Sequence, residues 1–231
     1  MKELYFETID STSNYLKRNR QDLDSFTAVS ASFQSSGRGR NDRVWTAKKG
    51  ENLLFSVLLK DKPQLEQGPF LSLIAAISVA RSLESLGVKE VAIKWPNDVY
   101  IAGKKVCGIL LEGNVEEYIV IGIGINVNQT EFLDEYRIPP TSIRLALGKE
   151  VAIEDFKRVL YLNLEEDLRN CEERAAFISY FSSHDYLKGK KVIYLDEVYT
   201  VIGVEDDFSL ILEKEGERKT VTSNEVTVIL A

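Results

Sequence analysis

The chain has 231 residues, of which 44% are hydrophobic and 28% charged, and 36 acidic residues against 29 basic ones give a formal net charge of −7. Such a composition indicates a globular protein with one large core, or a main domain of about 180 residues with a small appendage, and we expect the second. A negative charge argues against general binding to nucleic acid, which depends on neutralising phosphates. No apolar run reaches the roughly 20 residues of a membrane helix, so no membrane partner is expected.

Three further features narrow the class of protein. Acidic residues appear within residues 1–7, too early for a secretory signal, which predicts a cytoplasmic location. Cys107 and Cys171 lie far apart and form no Cys-x-x-Cys pair, so they are expected to be core or surface thiols of a reduced compartment and not metal ligands. His184 is the single histidine, and we expect it to be a surface residue between domains.

Alternation, β-branched content and apolar spacing predict the elements in chain order. Strands are predicted at residues 2–9, 26–33, 52–60, 91–95, 99–101, 105–112 and 118–127. Helices are predicted at residues 12–18, 70–86, 141–147 and 153–168. The stretch 52–60 is uniformly apolar, which indicates a central strand covered on both faces.

Beyond residue 186 the pattern changes to short strands separated by Gly and Asp turns. They are predicted at residues 191–195, 199–204, 209–213, 219–222 and 226–230. Strands of this length and spacing are typical of a small β-barrel. The sequence therefore predicts a main domain over residues 1–185 and a C-terminal β-barrel domain over residues 186–231.

A glycine-punctuated basic loop, residues 34–45, follows the second predicted strand. Its glycines and arginines are Gly37, Arg38, Gly39, Arg40 and Arg43. Glycine lets a ligand approach the backbone closely, and arginine supplies a planar, permanently charged fork, so the loop suits a phosphate or a carboxylate. Taken alone, the same residues also fit a flexible, solvated basic loop.

Residues elsewhere in the sequence likewise fit either a ligand-binding role or an ordinary structural one. Ser11 and its neighbours follow the first strand and would cap a helix, face a ligand, or do both. Lys94 and Lys105 would each be ordinary surface lysines if considered alone. Gly122 and Gly124 expose backbone within a strand, where a ligand or a neighbouring strand can approach.

Five motifs, in this order, resemble those of the biotin–protein ligases. They are Asp10-Ser11-Thr12, Gln34-x-x-Gly37-Arg38-Gly39-Arg40-x-x-Arg43-x-Trp45, Lys94-Trp95-Pro96-Asn97-Asp98, Lys105-Val106-Cys107-Gly108-Ile109-Leu110 with Glu112, and Gly122-Ile123-Gly124-Ile125-Asn126-Val127-Asn128. The resemblance covers almost the whole chain. It implies an α/β (α+β) fold: a central mixed sheet flanked by helices, related to the core of class II aminoacyl-tRNA synthetases, with a small C-terminal Src-homology-3-like barrel.

Members of that family activate biotin with ATP and Mg²⁺ to biotinyl-5′-AMP, and they then pass the biotinyl group to a lysine of a biotin carboxyl carrier protein. A carboxylate must attack the α-phosphate, so the chemistry needs cations to overcome repulsion between two anions. The resemblance implies that Lys105, Arg40 and Asp98 are the catalytic residues. Asp98 would also help Mg²⁺ to place the phosphates.

The resemblance further implies two sets of binding residues. For biotin they are Ser11, Thr12, Ser13, Gln34, Gly37, Arg38, Gly39, Arg40, Lys105, Gly108, Gly122 and Gly124. For ATP and the adenylate they are Arg38, Arg40, Arg43, Trp45, Lys94, Asn97, Lys105 and Asn126. Two assignments stay open: Trp45 would stack near the adenine or anchor the loop, and Asn126 would contact the adenylate or hold a turn.

The chain departs from the family pattern at four positions. Asp42 replaces a usual glycine, Ser13 a frequent asparagine, Phe208 a frequent turn glycine and Asn224 a glycine before Glu-Val. Because the chain begins at the first catalytic strand, we expect no N-terminal DNA-binding domain and no DNA partner. The oligomeric state is expected to be a monomer or a homodimer.

Two other functions compete with biotin ligation. A lipoate or octanoate ligase or transferase shares the core fold, but its pocket would lack polar groups for a ureido ring. A non-catalytic biotin- or nucleotide-sensing module would bind the same ligands without turnover. Competition between biotin and lipoate for binding would distinguish a lipoate enzyme from a biotin ligase. Biotin-dependent exchange of pyrophosphate into ATP would distinguish a ligase from a sensing module.

Overall fold

The structure is a computed structural model that describes residues 1–41, 43–132, 140–222 and 229–230. Three features singled out in the sequence lie outside the described residues: the departures at Asp42 and Asn224, and residues 226–228 of the last predicted strand. None of the helices in the described ranges is long and apolar enough to cross a membrane.

A seven-stranded mixed sheet forms the centre of the fold, in the order β1-β2-β3-β7-β6-β5-β4. The strands are β1 (Lys2–Ile9), β2 (Thr27–Gln34), β3 (Asn52–Leu59), β4 (Val91–Lys94), β5 (Asp98–Ile101), β6 (Lys104–Asn114) and β7 (Tyr118–Asn126). β1 and β2 are parallel, and the other neighbours are antiparallel. Every residue of β3 is buried, which confirms a central strand covered on both faces.

Helices cover both faces of this sheet. They are α1 (Thr12–Asn19), α2 (Lys62–Leu65), α3 (Phe70–Ser85), α4 (Ile143–Leu147), α5 (Ile153–Arg169) and α6 (Arg174–His184). α3 and α5 contribute to the large core, and α1 packs through Leu16 on the opposite face, against Val29, Leu58 and Val120. The mixed sheet flanked by helices confirms the predicted fold class.

Two helices, α2 and α6, were not predicted, and in each case the local sequence explains why. α2 is a single turn of four residues, too short for an apolar period. α6 buries only Phe177 and Phe181, and its last residues are Ser-Ser-His, so no continuous apolar stripe marks it in the sequence. His184 ends this helix with its side chain 20% exposed, and its ring stacks on Tyr180 with ring centroids 4.1 Å apart.

A smaller five-stranded antiparallel sheet follows, in the order β11-β10-β9-β8-β12. Its strands are β8 (Lys191–Tyr194), β9 (Glu197–Val204), β10 (Leu210–Lys214), β11 (Glu217–Val221) and β12 (Ile229–Leu230). Among the described residues β11 and β12 do not pair, so these pairings leave the sheet open. Buried residues of this sheet, such as Val201 and Leu212, join the main core cluster. The division at residues 185 and 186 stays a prediction.

The two cysteines are both free, and of the two locations left open by the sequence, core or surface, the structure shows the core. Cys107 lies within β6, and burial raises the pKa of its thiol well above the ordinary range. Burial also raises the pKa of Cys171. Both thiols are therefore side chains of the core in which burial disfavours the thiolate form.

Candidate functional site

A cavity of about 550 Å³ opens where the end of β2 meets the start of α1, the basic loop and strands β6 and β7. The sequence-predicted residues that line it are Ser11, Thr12, Ser13, Gln34, Arg38, Gly39, Arg40, Arg43, Trp45, Lys94, Asn97, Asp98, Lys105, Gly108, Gly122, Gly124 and Asn126. Gly37 does not line it. A Cβ atom at Gly37 would lie 2.5 Å from the backbone oxygen of Trp45, so this glycine permits close approach within the loop.

One end of the cavity is built from hydroxyl and amide groups. Ser11 caps α1, since its Oγ accepts from the backbone N–H of Asn14 at 3.4 Å. Thr12 donates to Gln34 Oε1 from both its backbone N, at 2.8 Å, and its Oγ1, at 3.0 Å. Ser56, in the middle of β3, lies 2.7 Å from Thr12 Oγ1 and 2.8 Å from Ser13 Oγ.

Cationic side chains line another part of the cavity. Lys105 Nζ lies 2.6 Å from Asp98 Oδ1, across the hairpin of β5 and β6. Arg40 Nη1 donates to Asn97 Oδ1 at 3.2 Å, while Asn97 Nδ2 donates to the Ile109 carbonyl at 2.6 Å. Asn97 is thus fixed to β6 and orients the guanidinium. Burial lowers the pKa of the Arg40 guanidinium, and the nearby charge of Asp98 opposes that shift. A bound anion would favour the charged form of Arg40 in the same way.

Arg38 is held in a second group of charges. Its Nη1 lies 3.2 Å from Glu112 Oε1, and Lys17 Nζ lies 2.7 Å from the same oxygen. Glu112 is only 14% exposed, so the carboxylate is shielded and links the loop to α1 and β6. This gives a structural role to the glutamate of the fourth motif, for which the sequence predicted none.

The basic loop folds back on itself as a small hairpin over the cavity. Arg38 and Val44 form an antiparallel bridge, and the Trp45 N–H donates to the Gly37 carbonyl at 3.0 Å. The Trp45 ring lies against bare backbone: Cβ atoms added at Gly124 and Gly108 would come within 2.5 and 2.8 Å of it. The indole therefore fills the space over these glycines, and because Trp45 also lines the cavity its role stays a prediction.

Two further outcomes concern polar residues of the cavity. The Asn126 side chain is 5% exposed and donates from Nδ2 to the Thr141 carbonyl at 3.0 Å. Asn126 also lines the cavity, so its role stays a prediction. Sequence reasoning missed Ser56. Its signal was a serine inside the otherwise apolar run of β3, since a fully buried hydroxyl needs a polar partner.

The described residues contain no cluster of three or more His, Cys, Asp or Glu side chains that would hold a metal ion. Asp98 is the one acidic residue among the described residues that line the cavity. A single carboxylate is compatible with Mg²⁺, because this ion is commonly held by one or two carboxylates together with substrate phosphates and water.

Comparison with known proteins identifies the class. The model of the biotin/lipoate A/B protein ligase family matches residues 5–126, more than half of the chain. The chain belongs to this family, which confirms the resemblance seen in the motifs. It is 41% identical over 131 residues to the bifunctional ligase/repressor BirA of Bacillus subtilis, a match that covers 54% of this chain and 40% of that protein.

Two further matches point to the biotin branch of the family. A biotin--[acetyl-CoA-carboxylase] ligase of Mycobacterium tuberculosis is 36% identical, over 63% of this chain and 53% of that protein. The biotin protein ligase of Aquifex aeolicus, solved in complex with biotin and ATP, superimposes with a TM-score of 0.89 at 28% identity, over 100% of this chain and 99% of that one. This chain is thus similar to biotin protein ligases in sequence and, over its whole length, in fold.

Proposed function

We propose that this chain is a biotin protein ligase that uses ATP to attach biotin to a lysine of a carrier protein. The observation that carries the proposal is that one cavity combines a hydroxyl and amide end, suited to a ureido ring, with Lys105 and Arg40, suited to a carboxylate and a phosphate. The family membership and the similarity to ligases that bind biotin and ATP support it.

The proposed reaction has two steps. In the first, a carboxylate oxygen of biotin attacks the α-phosphorus of ATP, the bond to the β-phosphate oxygen breaks, and pyrophosphate leaves. In the second, a lysine amine of the carrier attacks the acyl carbon, loses a proton, and AMP leaves. Both transition states carry concentrated negative charge on phosphate or acyl oxygens, so fixed cations supply most of the catalysis.

Residue roles follow from this chemistry. Lys105 is proposed to stabilise the carboxylate and α-phosphate oxygens, and Arg40 to hold the adenylate phosphate, with Asn97 orienting its guanidinium. Arg38, Arg43 and Lys94 line the same cavity and would attract the phosphates of ATP. Mg²⁺ would be held chiefly through those phosphates with Asp98 as the protein carboxylate, and it would offset charge on the departing pyrophosphate.

The remaining assignments are also proposals. The hydroxyl and amide groups of Thr12, Ser13 and Gln34 would bind the ureido ring of biotin. The acceptor would be the carrier domain of a biotin-dependent carboxylase, as the name of the M. tuberculosis relative suggests. We further propose a cytoplasmic enzyme without DNA binding, acting as a monomer or homodimer, with a catalytic domain over residues 1–185 and a smaller domain over residues 186–231.

Exchange of labelled pyrophosphate into ATP tests the activity directly. We expect exchange that requires biotin and that lipoate or octanoate neither supports nor inhibits at equal concentration. Exchange driven by lipoate or octanoate would favour the lipoate branch of the family. Biotin binding without any exchange would favour a sensing module instead.

A further inference from the structure

A chain of three buried hydroxyls crosses the base of the cavity and ends on an amide. We call this set the hydroxyl chain: Ser13, Ser56, Thr12 and the side-chain amide of Gln34, joined in that order. Ser56 is fully buried, Thr12 is 2% exposed and Ser13 is 6% exposed. Bulk solvent is therefore kept from the hydroxyls, and their hydrogen bonds must be satisfied by one another or by a ligand.

The direction of every bond in the hydroxyl chain follows from one donor. The backbone N–H of Thr12 can only donate, so the Gln34 atom 2.8 Å away is the amide oxygen and not the nitrogen. The Thr12 hydroxyl lies 3.0 Å from that oxygen and donates to it as well. A hydroxyl has a single proton, so Ser56 must donate to Thr12, and Ser13 must in turn donate to Ser56.

The two ends of the hydroxyl chain consequently differ in character. Ser13 Oγ has committed its proton and offers only lone pairs. Within the described part of the chain, Gln34 Nε2 donates to no protein atom, so it offers two N–H groups, and both residues line the cavity. Gly122 preserves the first end, because a Cβ atom there would lie 2.8 Å from Ser13 Oγ.

We propose that Ser56 is a specificity-determining positioning residue, which selects a cyclic urea by keeping one end of the hydroxyl chain an acceptor and the other a donor. A cyclic urea carries both N–H donors and a carbonyl acceptor, so it has a group that complements each end of the hydroxyl chain. A dithiolane ring or an alkyl chain satisfies neither and would leave buried polar groups unpaired, which costs more than a lost contact. The inference rests on the proposed function and refines it.

Ser56→Ala removes the central link with little change in volume. The proton of Ser13 is then no longer committed, so that end of the cavity stops being an obligatory acceptor. We expect the KM and the dissociation constant for biotin to rise about tenfold, the size of one net hydrogen bond. The KM for ATP and kcat should stay within about twofold, because the proposed contacts to phosphate are made by Lys105 and Arg40, which are not members of the hydroxyl chain.

A matched control exists in the same sheet. Ser30 in β2 is 3% exposed and donates to Glu3 Oε1 at 2.5 Å. It pairs in register with Phe55, the neighbour of Ser56, so its side chain lies on the opposite face. Ser30→Ala thus deletes a buried hydroxyl of the same sheet without touching the cavity, and biotin binding should stay within about twofold of wild type.

Calorimetric titration of the wild type and both variants with biotin, desthiobiotin and octanoate tests the proposal. Desthiobiotin retains the cyclic urea, so Ser56→Ala should weaken its binding as much as that of biotin. Octanoate should bind the variant no more weakly than it binds the wild type. The preference of the protein for a urea over octanoate should therefore fall about tenfold. If Ser56→Ala lost less than threefold in affinity for both ureas, or lost as much affinity for octanoate, the role of Ser56 would be overturned while the proposed function would stand. A wild-type protein that binds no biotin would overturn the proposed function as well.

Discussion

Lys105 shows how a residue that is ordinary by itself becomes specific in its setting. The sequence offered a surface lysine as an alternative, and the structure places its ammonium 2.6 Å from Asp98, 33% exposed and at the edge of the cavity. Pairing with a carboxylate holds the long side chain in one position before any ligand arrives. A preplaced cation of this kind lowers the transition state more than it strengthens substrate binding.

We therefore expect Lys105→Ala to slow adenylate formation by about 10²–10³-fold, the usual cost of losing one group that stabilises an oxyanion. Biotin affinity should change by less than threefold. Lys104→Ala is the matched control, because Lys104 is the neighbouring residue and is exposed. Single-turnover formation of biotinyl-5′-AMP measures the rate, and a Lys105→Ala enzyme within tenfold of wild type would exclude the proposed role.

Asp10, next to the site, makes a pH-dependent contribution to the stability of the folded protein. Arg18 donates to both of its carboxylate oxygens, at 2.6 and 3.0 Å, and these bonds lower the pKa of Asp10 to about 2. Because the folded-state pKa is below the unfolded one, the stabilisation is fully present above about pH 4 and is lost as the pH falls towards 2. Asp10→Asn cannot titrate. The melting temperature of Asp10→Asn should lie below that of the wild type by a constant amount from pH 7 to 5, and this difference should disappear near pH 2. A difference that persists at pH 2 would contradict a stabilising role of the ionised Asp10 carboxylate.

At the scale of elements, long regular patterns were predictable and short or mixed ones were not. α3 and α5 carry apolar residues over four or more turns, and β3 is apolar throughout, so periodicity identified them. α6 lacks a stripe and owes its position to two phenylalanines that pack on other elements. The fold of the basic loop was also hidden, because its hairpin is held by backbone bonds and by an indole lying on glycines from distant strands.

The basic loop is the element whose behaviour should change most with ligand. Arg38 and Arg43 are exposed while Arg40 is partly buried, and like charges close together favour opening until an anion neutralises them. Trypsin should cut the free protein after Arg38, Arg40 or Arg43, and saturating biotin with ATP should slow this cleavage at least fivefold. Arg158, 73% exposed on α5, is a site for comparison. Equal slowing at Arg158, or none in the loop, would exclude ligand-dependent ordering of the loop.

At the scale of the whole molecule, Phe208 joins the small sheet to the catalytic motifs. It was predicted only as a departure from a common turn glycine, and its φ of 70° explains why glycine suits the position. Its ring is 3% exposed and packs against Phe70, Phe181 and Trp95, with centroids 6.1, 5.5 and 6.3 Å apart. The Trp95 indole N–H also donates to the Phe208 carbonyl at 2.9 Å, which ties the third motif to this sheet.

Two substitutions at Phe208 separate its packing from its backbone conformation. Phe208→Ala should lower the free energy of unfolding by about 3–5 kcal/mol through the cavity left in the core. Phe208→Gly leaves the same cavity but relieves the left-handed backbone, so it should be more stable than the alanine variant by about 1 kcal/mol. Leu195 provides the control, because it also has a left-handed backbone, with a φ of 48°, but its side chain is 70% exposed. Leu195→Gly should likewise be more stable than Leu195→Ala. Leu195→Ala itself should lower the free energy of unfolding by less than about 0.5 kcal/mol. Urea unfolding measures the free energy of all four variants. If Phe208→Ala lost as little stability as Leu195→Ala, the Phe208 ring would not be what joins the small sheet to the residues around the third motif.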